Sequence, residues 1–371
     1  MSDPVCTFSA LEQIIRERIK ARGAITVAEY MDMALGHEQY GYYMNRDPFG
    51  EHGDFTTAPE ICQIFGELIG AWCAAVWQSL GSRPMMLMEL GGGRGTLMTD
   101  LLRATRHVHG FHEALTIVMV DASPFLRRFQ RAVLHGMHPR IHWQANLEAL
   151  PDLPLLCIAN EFFDALPIRQ YAKTLTGLRE RLVAIDPHTN ELTFVMHDMG
   201  IKLVKGGGHS TETVHDSQII ESCPAMRHIA THLAHHMQRH GGAGLFIDYG
   251  YRGESRGNTL QAIKTHGFWP VLKSPGEADI TAHVAFDDLA HTFEEAGLAS
   301  TSITTQGAFL QSIGGVMRLG HLVAETHKEE QKKQLRTGFE RLVSPQYMGE
   351  LFKVLGVCSN GQFHLPGFAD T

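Results

Sequence analysis

No two cysteines stand in a C-x-x-C spacing. The six present, Cys6, Cys62, Cys73, Cys157, Cys223 and Cys358, are scattered, several inside apolar runs. They read as buried free thiols of a reducing compartment. No apolar run approaches the ~20 residues needed to cross a bilayer, and Met1–Ala10 has neither the basic nor the apolar region of a secretory signal. A cytoplasmic protein with no membrane insertion is the expectation. Positive charge is also in short supply: 32 Lys and Arg against 40 Asp and Glu leave a formal charge of −8, which argues against a nucleic-acid partner. The clearest basic cluster, Lys328–Arg341, is also rich in Glu and reads as a solvated helix face. Repeats and low-complexity segments are absent, and 44% apolar residues in 371 suffice for a large buried core.

Hydrophobic spacing then divides the chain. Leu11, Ile14, Ile15 and Ile19 recur at helical intervals. After a loop rich in Gly and aromatics, Ile61, Ile64, Phe65, Leu68, Ile69, Trp72, Val76 and Leu80 form one stripe, opened by a capping-box signature at Thr57 and Glu60. From residue 82 the rhythm changes to apolar runs alternating with helices: Met85–Leu90, Leu115–Val120, Ile141–Trp143, Leu155–Ala159 and Gly244–Ile247, with a further candidate at Leu298–Thr304. That alternation predicts a parallel sheet covered on both faces. About 80 residues separate the last two firm strands, and within them Arg169–Asp198 alternates like an antiparallel meander. The chain after Gly307 reads as helical, and Gly206-Gly207-Gly208 as a loop.

The most informative stretch is Glu89-Leu90-Gly91-Gly92-Gly93-Arg94-Gly95-Thr96, placed where the first buried strand turns into a helix. Gly91, Gly93 and Gly95 permit close approach of a ligand, but Thr96 stands where a dinucleotide fingerprint needs a third small residue, and no G-K-[ST] ending supports a P-loop. A carboxylate at 89 repels a pyrophosphate and attracts a sulfonium and an ammonium, so the loop favours S-adenosylmethionine. Asp121, ending the next strand, can accept from both ribose hydroxyls. Asn146, after the third strand, can meet the adenine edge, although an Asn there is also an ordinary turn residue.

The fourth strand runs into Asn160-Glu161-Phe162-Phe163-Asp164-Ala165-Leu166-Pro167, at the sheet end where open α/β folds place their chemistry. Paired carboxylates suit a guanidinium, since each takes bidentate hydrogen bonds. Glu161 is the first catalytic candidate and Asp164 the second, with Asn160 beside them. Gly53-Asp54-Phe55, Asp248-Tyr249-Gly250-Tyr251 and Gly276–Thr281 are weaker candidates for the cleft. His228, His232, His235, His236 and His240 share a helix, but with no H-E-x-x-H and no completing ligand they predict no metal site.

Together these motifs resemble the MidA-type family. The resemblance runs in order from about residue 8 to 315, through Gly41-Tyr42-Tyr43-Met44, Asp47-Pro48-Phe49-Gly50, Gly53–Glu60, Phe65–Gly70, Glu89–Gly95, Asn160–Pro167, Asp248–Tyr251 and Gly276–His283. Ala58 departs from it, since the family often has Ser there. The resemblance implies a class I S-adenosylmethionine-dependent methyltransferase with S-adenosylhomocysteine as product, and its mitochondrial members are protein arginine methyltransferases acting in respiratory complex I assembly. It therefore implies a protein acceptor bearing arginine, with a complex I subunit as one candidate.

The expected architecture is an α/β, seven-stranded Rossmann-like core (82–305). A helical cap (1–81) precedes it, an insertion at about 169–222 interrupts it and a helical extension (306–371) follows. Cofactor residues are Glu89, Gly91, Gly93, Gly95, Asp121, Asn146 and Asn160. A small-molecule or RNA methyltransferase and a non-catalytic adenosylmethionine-binding assembly factor are the alternatives.

Overall fold

The computed structural model describes residues 8–44, 56–174, 177–198, 219–253, 257–359 and 364–368. The main path of its nine-stranded central sheet is β1 (Met85–Leu90), β2 (Leu115–Val120), β3 (Ile141–Gln144), β4 (Leu155–Asn160), β5 (Gly242–Tyr251), β6 (Ala299–Ser300) and β7 (Phe352–Cys358), with the short strands Val284–Ala285 and Thr304–Thr305 paired beside it. These lie in the order β6-β7-β5-β4-β1-β2-β3. β1 pairs in parallel with β2 and β4, β2 with β3, and β4 with β5, whereas β7 runs antiparallel between β5 and β6.

Strand alternation splits the core in two. Met85 and Leu87 face one layer with Phe65, Leu68 and Leu101, while Met86, Met88 and Leu90 face the other with Leu233, Met237 and Phe293. Burying both faces explains why these strands read as unbroken apolar runs. Each fully buried Leu, Ile or Phe contributes about 1.5–3 kcal/mol of transfer free energy, so these two layers carry much of the fold's stability.

Four local expectations are corrected. The stripe opening at Thr57 is two helices, Ala58–Ile61 and Gln63–Ser79, because Cys62 is extended at φ −157° and ψ 126°. The capping box does not form either: Thr57 makes no side-chain cap, and Glu60 instead binds Thr96 Oγ1 and, at 3.5 Å, Arg94. Glu60 thus joins the helix pair to the glycine loop. Among the tail's helices lies β7, which the sequence reading did not anticipate. The run at Leu298–Thr304 yields two two-residue strands, Ala299–Ser300 and Thr304–Thr305, both pairing with β7.

A third apolar cluster forms a separate wall. Helices Ala10–Arg22 and Val27–Gly36 contribute Leu11, Ile15, Tyr30 and Met31, and they pack with Val183 of the insertion and Ile280 from beyond β5. The insertion is the expected meander, with strands Arg169–Thr174, Gly177–Ile185 and Leu192–Asp198 paired antiparallel. Ile25 and Thr26 pair with its middle strand at Val183 and Leu182, so the N-terminal helices and the insertion are one body.

Candidate active site

The carboxyl ends of β1, β2, β4 and β5 open into a cavity of about 820 Å³, whose far wall comes from the third cluster. Gly91, Gly93, Asp121, Asn146, Glu161 and Asp164 line it. Glu89, Gly95 and Asn160 stand one layer behind. The Gly53-Asp54-Phe55 candidate lies outside the described residues.

The glycine loop needs its glycines. Gly91, Gly93 and Gly95 have φ of 64°, 52° and 83°, the left-handed region that side chains disfavour. A Cβ on Gly91 would come within 2.8 Å of the Phe162 ring, and one on Gly92 within 2.5 Å of Met119 Cε. Gln130 then ties the loop to the ribose-side acid: its Nε2 donates to Gly93 O at 2.9 Å and to Asp121 Oδ2 at 3.0 Å. Sequence reasoning missed Gln130. Its signal was a lone polar residue in an apolar line, because Leu126, Gln130 and Leu134 recur every four residues and all three are buried.

The acids of this half fit a cationic cofactor. Glu89 is 3% exposed and its Oε2 has no hydrogen-bond partner, and that oxygen lies beneath Gly92, 3.4 Å from where a Cβ would stand. Burial, with repulsion from Asp121, pushes its carboxyl up to about 8. Asp121 is raised to about 6 by burial, despite donation from Ser123 N at 2.9 Å and from Gln130. Two buried carboxyls held above their ordinary range gain by meeting positive charge. Asn146 is exposed on the rim, with Oδ1 accepting from Glu148 N at 3.2 Å.

The turn leaving β4 forms the second half. Glu161 N donates to Ile247 O at 2.9 Å, and Glu161 has φ 51°, a strained conformation for a residue with a side chain. Its Oε1 accepts from Ala58 N at 2.9 Å and from Asn160 Nδ2 at 3.1 Å, so Asn160 serves Glu161 in the structure. Burial first, then Asp164 and Asp279, push the Glu161 carboxyl up to about 8. Asp164, 7% exposed, is raised to about 6 by burial, with the nearby Tyr249 hydroxyl acting the other way.

Asp248 is the support of this turn. It is fully buried, and its Oδ2 accepts from the amides of Phe162, Phe163 and Asp164 at 3.0, 2.9 and 3.3 Å. The site thus contains buried carboxyls in number, and among the described residues lining the cavity none is Lys or Arg. His228 and His232 reach its rim, while His236 bonds Leu153 O at 2.9 Å.

Known proteins resemble this chain. Residues 68–304 match the family model "Putative S-adenosyl-L-methionine-dependent methyltransferase". The chain is 36% identical over 364 residues to the Xenopus laevis mitochondrial protein arginine methyltransferase NDUFAF7, covering 92% of this chain and 82% of that one. With the human protein of the same name it shares 34% over 359 residues, covering 90% and 80%. A Burkholderia thailandensis crystal structure bound to S-adenosylhomocysteine superposes with a TM-score of 0.80 at 26% identity, covering 97% of this chain and 96% of that one. With the glycine loop and its two acids in place, the chain belongs to the S-adenosyl-L-methionine-dependent methyltransferase family.

Proposed function

We propose that the protein is a protein arginine N-methyltransferase. The observation that carries this reading is the pairing of Glu161 with Asp164 at a cavity whose described lining holds no Lys or Arg. Bound adenosylmethionine supplies an electrophilic methyl group on a sulfonium. On the cofactor side, Asp121 would take its ribose hydroxyls, Glu89 from beneath the loop would favour its positive charge, Gly91, Gly93 and Gly95 would let the backbone approach, and Asn146 would meet its adenine. On the acceptor side, Asn160 and Ala58 N hold Glu161, and Glu161 and Asp164 receive the guanidinium N–H groups. A guanidinium, with a pKa above ~12, keeps its proton in water, so the protein must hold one nitrogen in line and take its proton as methylation proceeds. A carboxyl at about 8 is suited to that exchange at neutral pH.

The Xenopus and human relatives, named as protein arginine methyltransferases, support a protein acceptor, and the resemblance makes a complex I subunit the first to test. RNA fits poorly, because a phosphate backbone needs cations that this lining lacks. Cytoplasmic residence is part of the same reading, supported by the free thiols at Cys62, Cys73, Cys157, Cys223 and Cys358.

The test is to incubate the protein with methyl-labelled adenosylmethionine and a cell extract, then to search labelled proteins for methylarginine by mass spectrometry. Glu161→Gln is expected to lower transfer about a hundredfold or more while S-adenosylhomocysteine affinity holds. Label confined to RNA or to small molecules overturns the assignment. Undiminished labelling by the Gln variant removes Glu161 from its role. Complementation of an assembly defect without any methyl transfer would favour the non-catalytic alternative.

A further inference from the structure

The acceptor half of the cavity has a second acidic wall. Asp279 opens the strand Asp279–Thr281, which belongs to the body formed by the N-terminal helices and the insertion. It lines the same cavity, is 5% exposed, and its Oδ1 accepts from the Tyr43 hydroxyl at 2.6 Å. Tyr43 is itself fixed, since its carbonyl accepts from Ser123 Oγ at 2.6 Å beside the ribose-side acid. Ala282 N donates to Asp164 O at 3.0 Å and fastens this strand to the turn carrying the first two acids. Asp279 lies near enough to act electrostatically on both Glu161 and Tyr249.

The arrangement has a counterpart across the cavity. Tyr249 lines the cavity and lies near enough to Asp164 to favour its ionised form. Each aspartate thus has a tyrosine beside it, one from each wall. Asp164 Oδ1 remains without a partner although the residue is 7% exposed and lines the cavity. A buried oxygen in that state calls for a donor, and no Lys or Arg among the described lining residues supplies one.

We propose that Asp279, oriented by Tyr43, is a third acceptor-binding carboxylate, which with Glu161 and Asp164 receives the guanidinium of an arginine substrate from both walls of the cavity. The inference rests on the arginine reading above and adds the residue that sets specificity. A guanidinium presents five N–H donors in a rigid planar fork, and two carboxylates on one wall leave part of that fork unmet. An acid on the opposite wall meets the remaining edge. A lysine ammonium, a compact charge with three donors, cannot offer two opposed edges, so Asp279 selects arginine over lysine. Tyr43 is the positioning residue, because its hydroxyl proton is committed to Asp279.

The experiment uses the full chain saturated with S-adenosylhomocysteine and titrated calorimetrically with an acetylated Gly-Gly-Arg-Gly-Gly peptide, with citrulline and lysine peptides as controls. The unsubstituted protein is expected to prefer arginine to citrulline at least tenfold. Asp279→Asn keeps an acceptor for the Tyr43 hydroxyl and removes the charge. It is expected to weaken arginine binding tenfold or more, leave citrulline binding unchanged and keep S-adenosylhomocysteine affinity. Tyr43→Phe retains all three charges and should raise KM for the peptide about threefold with kcat little altered. Equal arginine affinity in Asp279→Asn and the unsubstituted protein overturns the role of Asp279 alone. An unsubstituted protein that does not distinguish arginine from citrulline overturns the arginine reading, and this inference with it. If Asp279→Asn loses S-adenosylhomocysteine, Tyr43→Phe decides, and an unchanged KM there sinks the proposal.

Discussion

Gly91 shows how one position can be required twice. Its φ of 64° costs a β-branched residue about 1–2 kcal/mol in backbone strain, and any Cβ there overlaps Phe162 of the turn that carries Glu161. Strain distorts the loop, while overlap pushes the acceptor-side turn away. Gly91→Val is therefore expected to lower adenosylmethionine affinity at least a hundredfold by calorimetry, with the circular dichroism of the folded sheet retained. An intact fold with unchanged affinity would remove the glycine loop from the cofactor site. The spacing of Gly91, Gly93 and Gly95 was legible because a turn from strand to helix leaves a local mark. Gln130 left a weaker one, and the Tyr43 and Asp279 contact left none, since 236 residues separate the partners.

At the scale of elements, the turn after β4 hangs from β5. One carboxylate, Asp248, satisfies three successive amides, and its own burial holds its carboxyl far above the usual range. Removing it leaves those donors buried and unmet, at about 1–3 kcal/mol for each one that water does not reach. Asp248→Ala is expected to destabilise the protein by roughly 3 kcal/mol in chemical denaturation. Methyl transfer should fall more than S-adenosylhomocysteine affinity does, because the turn carries Glu161 and Asp164 while the cofactor loop belongs to β1. Equal losses of both would assign Asp248 a purely structural part. The strands themselves were readable from apolar runs and the meander from its alternation. β7 was not: Phe352–Cys358 is seven residues in a helical stretch, and its membership of the sheet depends on pairing with Ala243–Tyr249, a partner no local period reveals. The break at Cys62 was hidden for the converse reason, since the apolar stripe continues through it.

Across the whole molecule, the buried acids tie stability to pH and both to ligand. Glu89 and Glu161 are raised to about 8, and Asp121 and Asp164 to about 6, with burial the first cause in each. A carboxyl whose folded pKa exceeds its unfolded value binds more protons in the folded state, so its contribution is full below the ordinary carboxylate range and is lost as pH rises through the folded value. For these groups that window runs from about 4 to about 8. The ligand-free protein should therefore melt about 2–5 °C lower at pH 8.5 than at pH 6 in calorimetry. Glu89→Gln, which cannot ionise, should flatten that slope. Adenosylmethionine reverses the preference, because its sulfonium and ammonium favour the ionised carboxyls. Its stabilisation should grow from pH 6 to pH 8.5, with protons released on binding near pH 7, seen as a dependence of the binding enthalpy on the buffer's ionisation enthalpy. A ligand-free melting temperature that rises over the same interval, or binding without proton release, would show that these acids are already ionised in the empty cavity and that the cation does not complete it.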